Sequence, residues 1–246
     1  MIRNLESFND IRLLSQILDD SQRKNFLEVG CATGELYRYL QLRHPQLDYR
    51  GLDISRAAVA RAQEKYPAAR FHVSDPGLSL EENLRSLGLP ERPEVVYAKD
   101  VVHHQERPFD FLSQLVEISS ESLILRTRTR DEGATVTDPE SSCQFQYGGW
   151  VPYIVFNVPE LVDLLRERCP EAEIVLLRNH MVLGGKENRF LPKECYLPKT
   201  GTAETAVGLF KRTSHPGKLR LENRKDMPHP TGWKIWLKNL LRGGSG

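Results

Sequence analysis

The sequence is short of several features that would decide its class outright. Only four cysteines occur in 246 residues, at 31, 143, 169 and 195. They form no Cys-x-x-Cys pair and have no histidine at metal-ligand spacing, so reduced thiols are expected rather than disulfides or a bound metal. No apolar run approaches the roughly 20 residues of a membrane-spanning helix. The first ten residues mix acids and amides where a secretory leader would be basic and then continuously apolar, which points to a cytoplasmic protein. Repeats and low-complexity blocks are missing too. Charge of one sign is also missing in the sum, with 34 Lys+Arg against 33 Asp+Glu. That balance conceals a division: residues 211–246 hold nine bases against Glu222 and Asp226, a net of +7, which leaves −6 on the first 210. A chain of this length buries about 70–75% of its extended surface on folding, enough for a core without covalent staples.

What is present is an alternation of short apolar runs with amphipathic stretches of helical length, repeated to about residue 178. This is the pattern of an α/β fold with a mostly parallel sheet. The spacing predicts strands over 25–29, 49–52, 70–73, 94–98 and 122–126, and helices over 34–42, 55–66, 80–87 and 108–119. Ser55 suits an N-cap before an alanine-rich stretch. A fifth helix is expected over 157–169, with Asn157 as its cap and Pro159 in its first turn, followed by strands over 172–177 and 205–210. Two irregular stretches, about 127–156 and 180–202, exceed ordinary connection lengths and are read as substrate-facing loops. Pro216, Pro228 and Pro230 make 211–232 read as a linker. The expected organisation is one domain over 1–210 and a basic appendage over 211–246.

The first predicted strand runs into Glu28-Val29-Gly30-Cys31-Ala32-Thr33-Gly34. Glycines let this turn tighten and approach a ligand, and the helix that follows offers free N–H groups. A dinucleotide fingerprint would need glycine at 30, 32 and 35. Ala32 and Glu35 occupy the last two positions, and Glu35 would set a negative charge where a pyrophosphate should sit. The Gly-Lys-Ser/Thr of a phosphate loop is missing as well. The stretch resembles instead the first motif of class I S-adenosylmethionine (AdoMet)-dependent methyltransferases, an acid followed by G-x-G-x-G, with alanine for the middle glycine. Further matches follow in the family's order. Tyr49-Arg50-Gly51-Leu52-Asp53-Ile54-Ser55 looks like the second motif, whose acid would accept from both ribose hydroxyls. Arg70-Phe71-His72-Val73-Ser74-Asp75 is similar to the third, whose acid would accept from the adenine amino group. Residues 94–108, with Lys99, Asp100, His103, His104 and Pro108, resemble the fourth strand and turn of the family's small-molecule branch.

The resemblance spans about residues 25–178. It implies a doubly wound, Rossmann-like, mostly parallel seven-stranded sheet with helices on both faces, and S-adenosyl-L-methionine as cofactor. The residues it places at the cofactor are Glu28, Gly30, Cys31, Ala32, Gly34, Asp53, Ile54, Ser74, Asp75 and Lys99. Methyl transfer to a hydroxyl or amine needs alignment, exclusion of water and a base near neutral pKa. His103 or His104, assisted by Asp100, is the candidate base. Arg126, Arg128 and Arg130 project on one face if the chain stays extended, and would clamp an anionic acceptor. Tyr147, Trp150 and Tyr153 are read as a lid over the acceptor. The expected activity is transfer to an oxygen or nitrogen of a small-molecule or saccharide-type acceptor. Rival readings are a binding or scaffold protein that keeps the fold without turnover, and a metal-assisted sugar O-methyltransferase using Asp100 with Asp138.

At the end of the chain, Trp233, Trp236, Leu237, Leu240 and Leu241 share one face of a basic helical stretch over 232–242. Docking on its own domain or on a second copy is one expectation for it, and weak contact with an anionic membrane surface is the other. A nucleic-acid partner is not expected, since the body is acidic and no base-reading motif occurs. A monomer or homodimer is expected.

Overall fold

The computed structural model describes residues 8–18, 24–146, 148–196 and 201–223. Tyr147 and the 232–242 stretch lie outside the described residues. In chain order the elements are α1 (Asn9–Leu18), β1 (Asn25–Val29), α2 (Glu35–Arg43), β2 (Asp48–Asp53), α3 (Arg56–Lys65), β3 (Arg70–Val73), α4 (Leu80–Ser86) and β4 (Val95–Lys99). A short 3-10 turn (Val102–His104) leads to α5 (Pro108–Ile118) and β5 (Ser122–Arg130). Then come β6 (Cys143–Gln146), β7 (Gly149–Pro152), β8 (Phe156–Asn157), α6 (Val158–Arg168), β9 (Glu173–His180), β10 (Arg189–Phe190), β11 (Ala203–Phe210) and β12 (Leu219–Asn223).

Local chemistry sets most of these boundaries. Ser55 Oγ accepts the Ala58 N–H at the start of α3, and Asn157 Oδ1 accepts the Glu160 N–H at the start of α6. Ser79 and Glu82 form a reciprocal capping box on α4. Pro108 opens α5, where its missing N–H costs nothing.

The main sheet has the order β12-β9-β11-β5-β4-β1-β2-β3, with β8 pairing on the end of β5. All pairs from β3 to β5 are parallel, while β11 lies antiparallel between β5 and β9. Alternate strand residues feed two cores. Leu27, Val29, Val96 and Ala98 join Leu84, Leu112, Leu115 and Leu161 on one face. Phe26, Val95, Tyr97 and Ile124 join Ile11, Leu14, Leu40, Val59 and Ala62 on the other. Helices therefore cover both faces. Among the described residues, no helix is long and apolar enough to cross a membrane.

The structure differs from the sequence-based expectation in three places. A helix, α1, precedes β1; its apolar stripe of Ile11, Leu13, Leu14 and Leu18 is buried. The expected linker at 211–232 begins instead with ordered chain, because Leu219 and Leu221 pack on the core as β12 pairs with β9. β12 and β8 bring the sheet to nine strands around the expected mostly parallel centre. Finally, the two irregular stretches are not independent loops: β6, β7 and β10 pair into a three-stranded sheet, order β10-β6-β7.

Candidate active site

Two sets of residues meet at the carboxyl ends of β1, β2, β4 and β5, the edge at which open α/β sheets bind ligands. The first is made largely of backbone. Gly30, Ala32 and Gly34 all have left-handed φ values, of 79°, 45° and 78°. A side chain at Gly30 would put its Cβ 2.3 Å from Val101 Cγ2, and at Gly34 2.7 Å from Phe71. Ala32, at the family's middle-glycine position, thus takes a conformation that glycine adopts freely and alanine rarely. Its amide is held by Asp53, whose Oδ2 accepts the Ala32 N–H and whose Oδ1 accepts the Ser55 N–H, both at 2.8 Å. The start of α2 has no side-chain cap, and Glu35 is drawn away into an ion pair with Lys65, so the first N–H groups of the helix are left to a ligand.

Around this turn the other expected cofactor residues divide. Ile54 is 68% exposed beside Asp53. Ser74 N–H donates to the Asp53 carbonyl, which brings the ends of β2 and β3 together. Asp75 follows, with Oδ1 accepting the Gly77 N–H at 2.8 Å. Glu28 is buried beneath the turn and accepts the Tyr49 hydroxyl. Burial pushes its carboxyl up to about 8 despite that bond and the charge of Lys99. Cys31 turns inward against Gly51, and its amide donates to the Leu52 carbonyl. Lys99 lies with its Nζ 4.8 Å from the centre of the Phe8 ring.

The second set is made of charged and aromatic side chains. Asp100, just past β4, has a φ of 57°. Its Oδ1 accepts from Arg126 Nε at 3.1 Å and from Arg128 at 3.0 Å, and Arg126 also donates to Oδ2. Burial works against the Asp100 charge, but these guanidiniums outweigh it and hold the carboxyl at about 2. Glu204, opposite Arg128 on β11, lies 3.6 Å from Arg126 and 3.4 Å from Arg128. Asp10 of α1 is fully buried, accepts the Tyr97 hydroxyl and lies 3.8 Å from Arg126. Tyr153 Oη accepts from Arg128 Nε at 2.9 Å, and its ring meets His103 and His104 edge-on at 5.1 and 5.7 Å.

The histidines differ. His103 is 1% exposed, and its Nδ1 has no hydrogen-bond partner among the described residues. Burial, with the ionisable His104 and the positive Arg128 beside it, drives it well below the usual histidine range. His104 is half-buried, and its Nδ1 lies 2.7 Å from the Pro152 carbonyl. A carbonyl only accepts, so Nδ1 carries the proton and neutral His104 keeps a lone pair on Nε2. Its pKa is also lowered, chiefly by burial.

Residues 27–135 match a family model described as a methyltransferase domain. The match covers 109 of the 246 residues, from β1 to just past β5. No curated protein matches the sequence. Among solved structures, the domain is similar to the N-terminal domain of EvdMO1 with S-adenosylhomocysteine (SAH) bound, at 16% identity, a TM-score of 0.55 and coverage of 82% of this chain and 79% of that one. Magnesium protoporphyrin IX methyltransferase from Synechocystis PCC 6803 with bound SAH is 15% identical, with a TM-score of 0.50 and 85% and 83% covered. The CurJ carbon methyltransferase is 18% identical, with a TM-score of 0.50 and 82% and 52% covered. These neighbours differ in their named chemistry, so at such identities they carry the fold and not the acceptor.

The left-handed turn, the uncapped helix start, the Asp53 carboxylate and exposed Ile54 fit AdoMet. The charged and aromatic set around Asp100 corrects two expectations. Arg126, Arg128 and Arg130 do share one face of β5, but they are not a free anion clamp. Arg126 and Arg128 are held by Asp100 and Glu204, while Arg130 turns away to the Ala134 carbonyl, Glu194 and Cys195 Sγ. Trp150 does not join Tyr153: on the small sheet it packs with Phe145 and Phe190 at 5.5 and 5.1 Å, on the face opposite Gln144 and Arg189. Tyr153 is buried and does face the histidines. Sequence reasoning missed Asp10, Glu204, Gln144, Arg189 and the Pro152 carbonyl. A single acid in the apolar run of β11 was the one signal for Glu204; nothing local marks the others as site residues.

Proposed function

We propose that the domain methylates an oxygen or nitrogen of a small-molecule or saccharide-type acceptor, with His104 as the base that receives the acceptor's proton. The observation that carries this reading is the His104–Pro152 hydrogen bond. It fixes the ring, assigns the proton to Nδ1 and leaves Nε2 to accept, beside Asp100 at the end of β4. Bound AdoMet supplies an electrophilic methyl group on a sulfonium, already attached to a good leaving group. Gly30, Ala32 and Gly34 with the start of α2, Asp53 with Ile54, and Asp75 are the residues proposed to hold it. His103 packs against His104 and Tyr153 and sets their spacing. Asp100, fixed by Arg126 and Arg128, supplies negative charge that favours an imidazolium once His104 takes the proton.

A lowered His104 pKa keeps the base form populated at neutral pH. Transfer should therefore rise with pH below the ordinary histidine range and level off above it. A metal-assisted mechanism through Asp100 and Asp138 is disfavoured, because Asp100 is committed to two guanidiniums and Asp138 caps its own turn through Glu140 and Ser141. The test is transfer from methyl-labelled AdoMet to panels of hydroxyl, amine and carbon acceptors. His104→Ala should lower kcat by about 10²–10⁴ with SAH binding retained. Full-rate transfer by this variant, or transfer to carbon alone, overturns the reading; SAH binding without transfer to any panel favours a binding protein.

A further inference from the structure

Arg189 differs from every other arginine of the site. It is half-buried, and no carboxylate lies beside it among the described residues, whereas Arg126, Arg128 and Arg130 each have one. Its Nε and Nη2 both donate to Gln144 Oε1, at 3.2 and 2.8 Å, and its Nη1 donates to the Leu183 carbonyl at 2.8 Å. The guanidinium carbon sits 4.0 Å from the centre of the Tyr153 ring, the same ring that meets both histidines edge-on. Burial works against the Arg189 charge and Arg128 adds repulsion, so its pKa is lowered from the ordinary arginine value.

A half-buried guanidinium whose hydrogen-bond partners are all neutral keeps an unneutralised charge that an anion would complete. Gln144 and Leu183 fix its orientation rather than its charge. Of its five N–H donors three are used, leaving one on each terminal nitrogen, a pair suited to two oxygens of one oxyanion. The Tyr153 ring, 4.0 Å from the guanidinium carbon, ties Arg189 to the residue that borders the proposed base.

We infer that Arg189, held by Gln144 and stacked on Tyr153, binds an oxyanion of the methyl acceptor, either a carboxylate or a phosphoryl group. The inference rests on the methyl-transfer reading above and moves the anion site from β5, where the sequence suggested it, to β10. Tyr153 then joins the two arginines, with Arg128 on its hydroxyl and Arg189 on its face. The acceptor's anion would anchor on Arg189 while its nucleophilic atom lies toward His104 Nε2.

The test titrates the full-length protein, saturated with SAH, with sodium phosphate, sodium acetate and uncharged acetamide at constant ionic strength. The readout is the ring resonances of His104 by NMR. A saturable shift is expected with phosphate or acetate and none with acetamide; the stronger of the two anions identifies phosphoryl or carboxylate. Arg189→Gln should weaken the anion response about tenfold or more. Arg189→Lys keeps the charge without the fork and should retain part of the phosphate response while losing more of the acetate response. An unchanged response in Arg189→Gln, or acetamide acting like acetate, overturns the inference. Calorimetric SAH binding on the same samples separates the two readings. Tight SAH binding with no anion response removes the Arg189 site alone, whereas no SAH binding removes the methyl-transfer reading and this one with it.

Discussion

The proposed cofactor side and the proposed acceptor side of the site are built from different material. Around Gly30, Ala32 and Gly34 the ligand surface is backbone: left-handed φ values, an uncapped helix start, and one carboxylate, Asp53, that braces the turn through two amides. Around Asp100 it is side chain: Asp10, Asp100, Arg126, Arg128, Tyr153, Arg189 and Glu204 come from six separate segments and hold one another. Backbone shape suits a cofactor that every turnover repeats. A side-chain network can be rewired residue by residue, which suits an acceptor that varies between enzymes of one fold.

The largest break in that comparison is expected at the turn. Gly30→Ala must accept a φ of 79° and a Cβ 2.3 Å from Val101 Cγ2. It should cost about 3 kcal/mol of stability and abolish measurable SAH binding. Chemical denaturation and calorimetry read the two effects separately. Next comes Asp100→Asn, which leaves Arg126 and Arg128 with Glu204 and Asp10 only. A loss of about 2–3 kcal/mol is expected, below the roughly 3–5 of a fully orphaned buried pair. It should weaken SAH binding far less than Gly30→Ala does. Equal damage to SAH binding by both variants would show that the two sides are not separable.

The two sides also respond to pH in opposite senses. Glu28 is raised in the folded state to about 8. Its contribution is therefore complete below the unfolded carboxyl pKa and is lost as pH rises through about 8. His103 is depressed, so its contribution is complete above the ordinary histidine pKa and falls as pH drops below it, by at most about 1.4 kcal/mol per pH unit. In denaturation measured from pH 5 to 9, the two contributions oppose each other between pH 5 and the ordinary histidine pKa, so stability there should change little, and above that pKa it should fall until about pH 8. Glu28→Gln should abolish the fall up to about pH 8 and leave a loss of stability on acidification, whereas His103→Leu should make stability fall with pH from pH 5 onward. Exchanged effects, or none, would contradict the placement of these groups.

The same contrast explains what the sequence made legible. The cofactor turn is local: Glu28 to Gly34 lie on consecutive residues, Asp53 and Asp75 end their own strands, and the Ser55 and Asn157 caps sit at the expected helix starts. The acceptor side depends on register. Glu204 meets Arg128 only because β11 runs antiparallel beside β5, and Arg189 reaches Tyr153 only because β10 pairs with β6. Spacing along the chain could place three arginines on one face of β5 but could not show that carboxylates from α1 and β11 already face them. It also could not tell which face of the small sheet Trp150 would take.

The smallest effect expected is the one that tests that last point. Trp150 is 51% exposed and meets Phe145 and Phe190, while Tyr153, three residues on, is 4% exposed and joins Arg128 to both histidines. Trp150→Ser removes two aromatic contacts and should cost about 1 kcal/mol. Because its side chain projects from the face opposite Arg189, it should leave both SAH binding and the anion response of His104 unchanged. Tyr153→Phe removes a single hydroxyl at a similar cost in stability. Yet it frees Arg128 Nε beside the proposed base and should alter the His104 titration. Two aromatic residues on one short segment would then have like effects on folding and unlike effects on the site; a shifted His104 titration in Trp150→Ser would place the tryptophan on the acceptor after all.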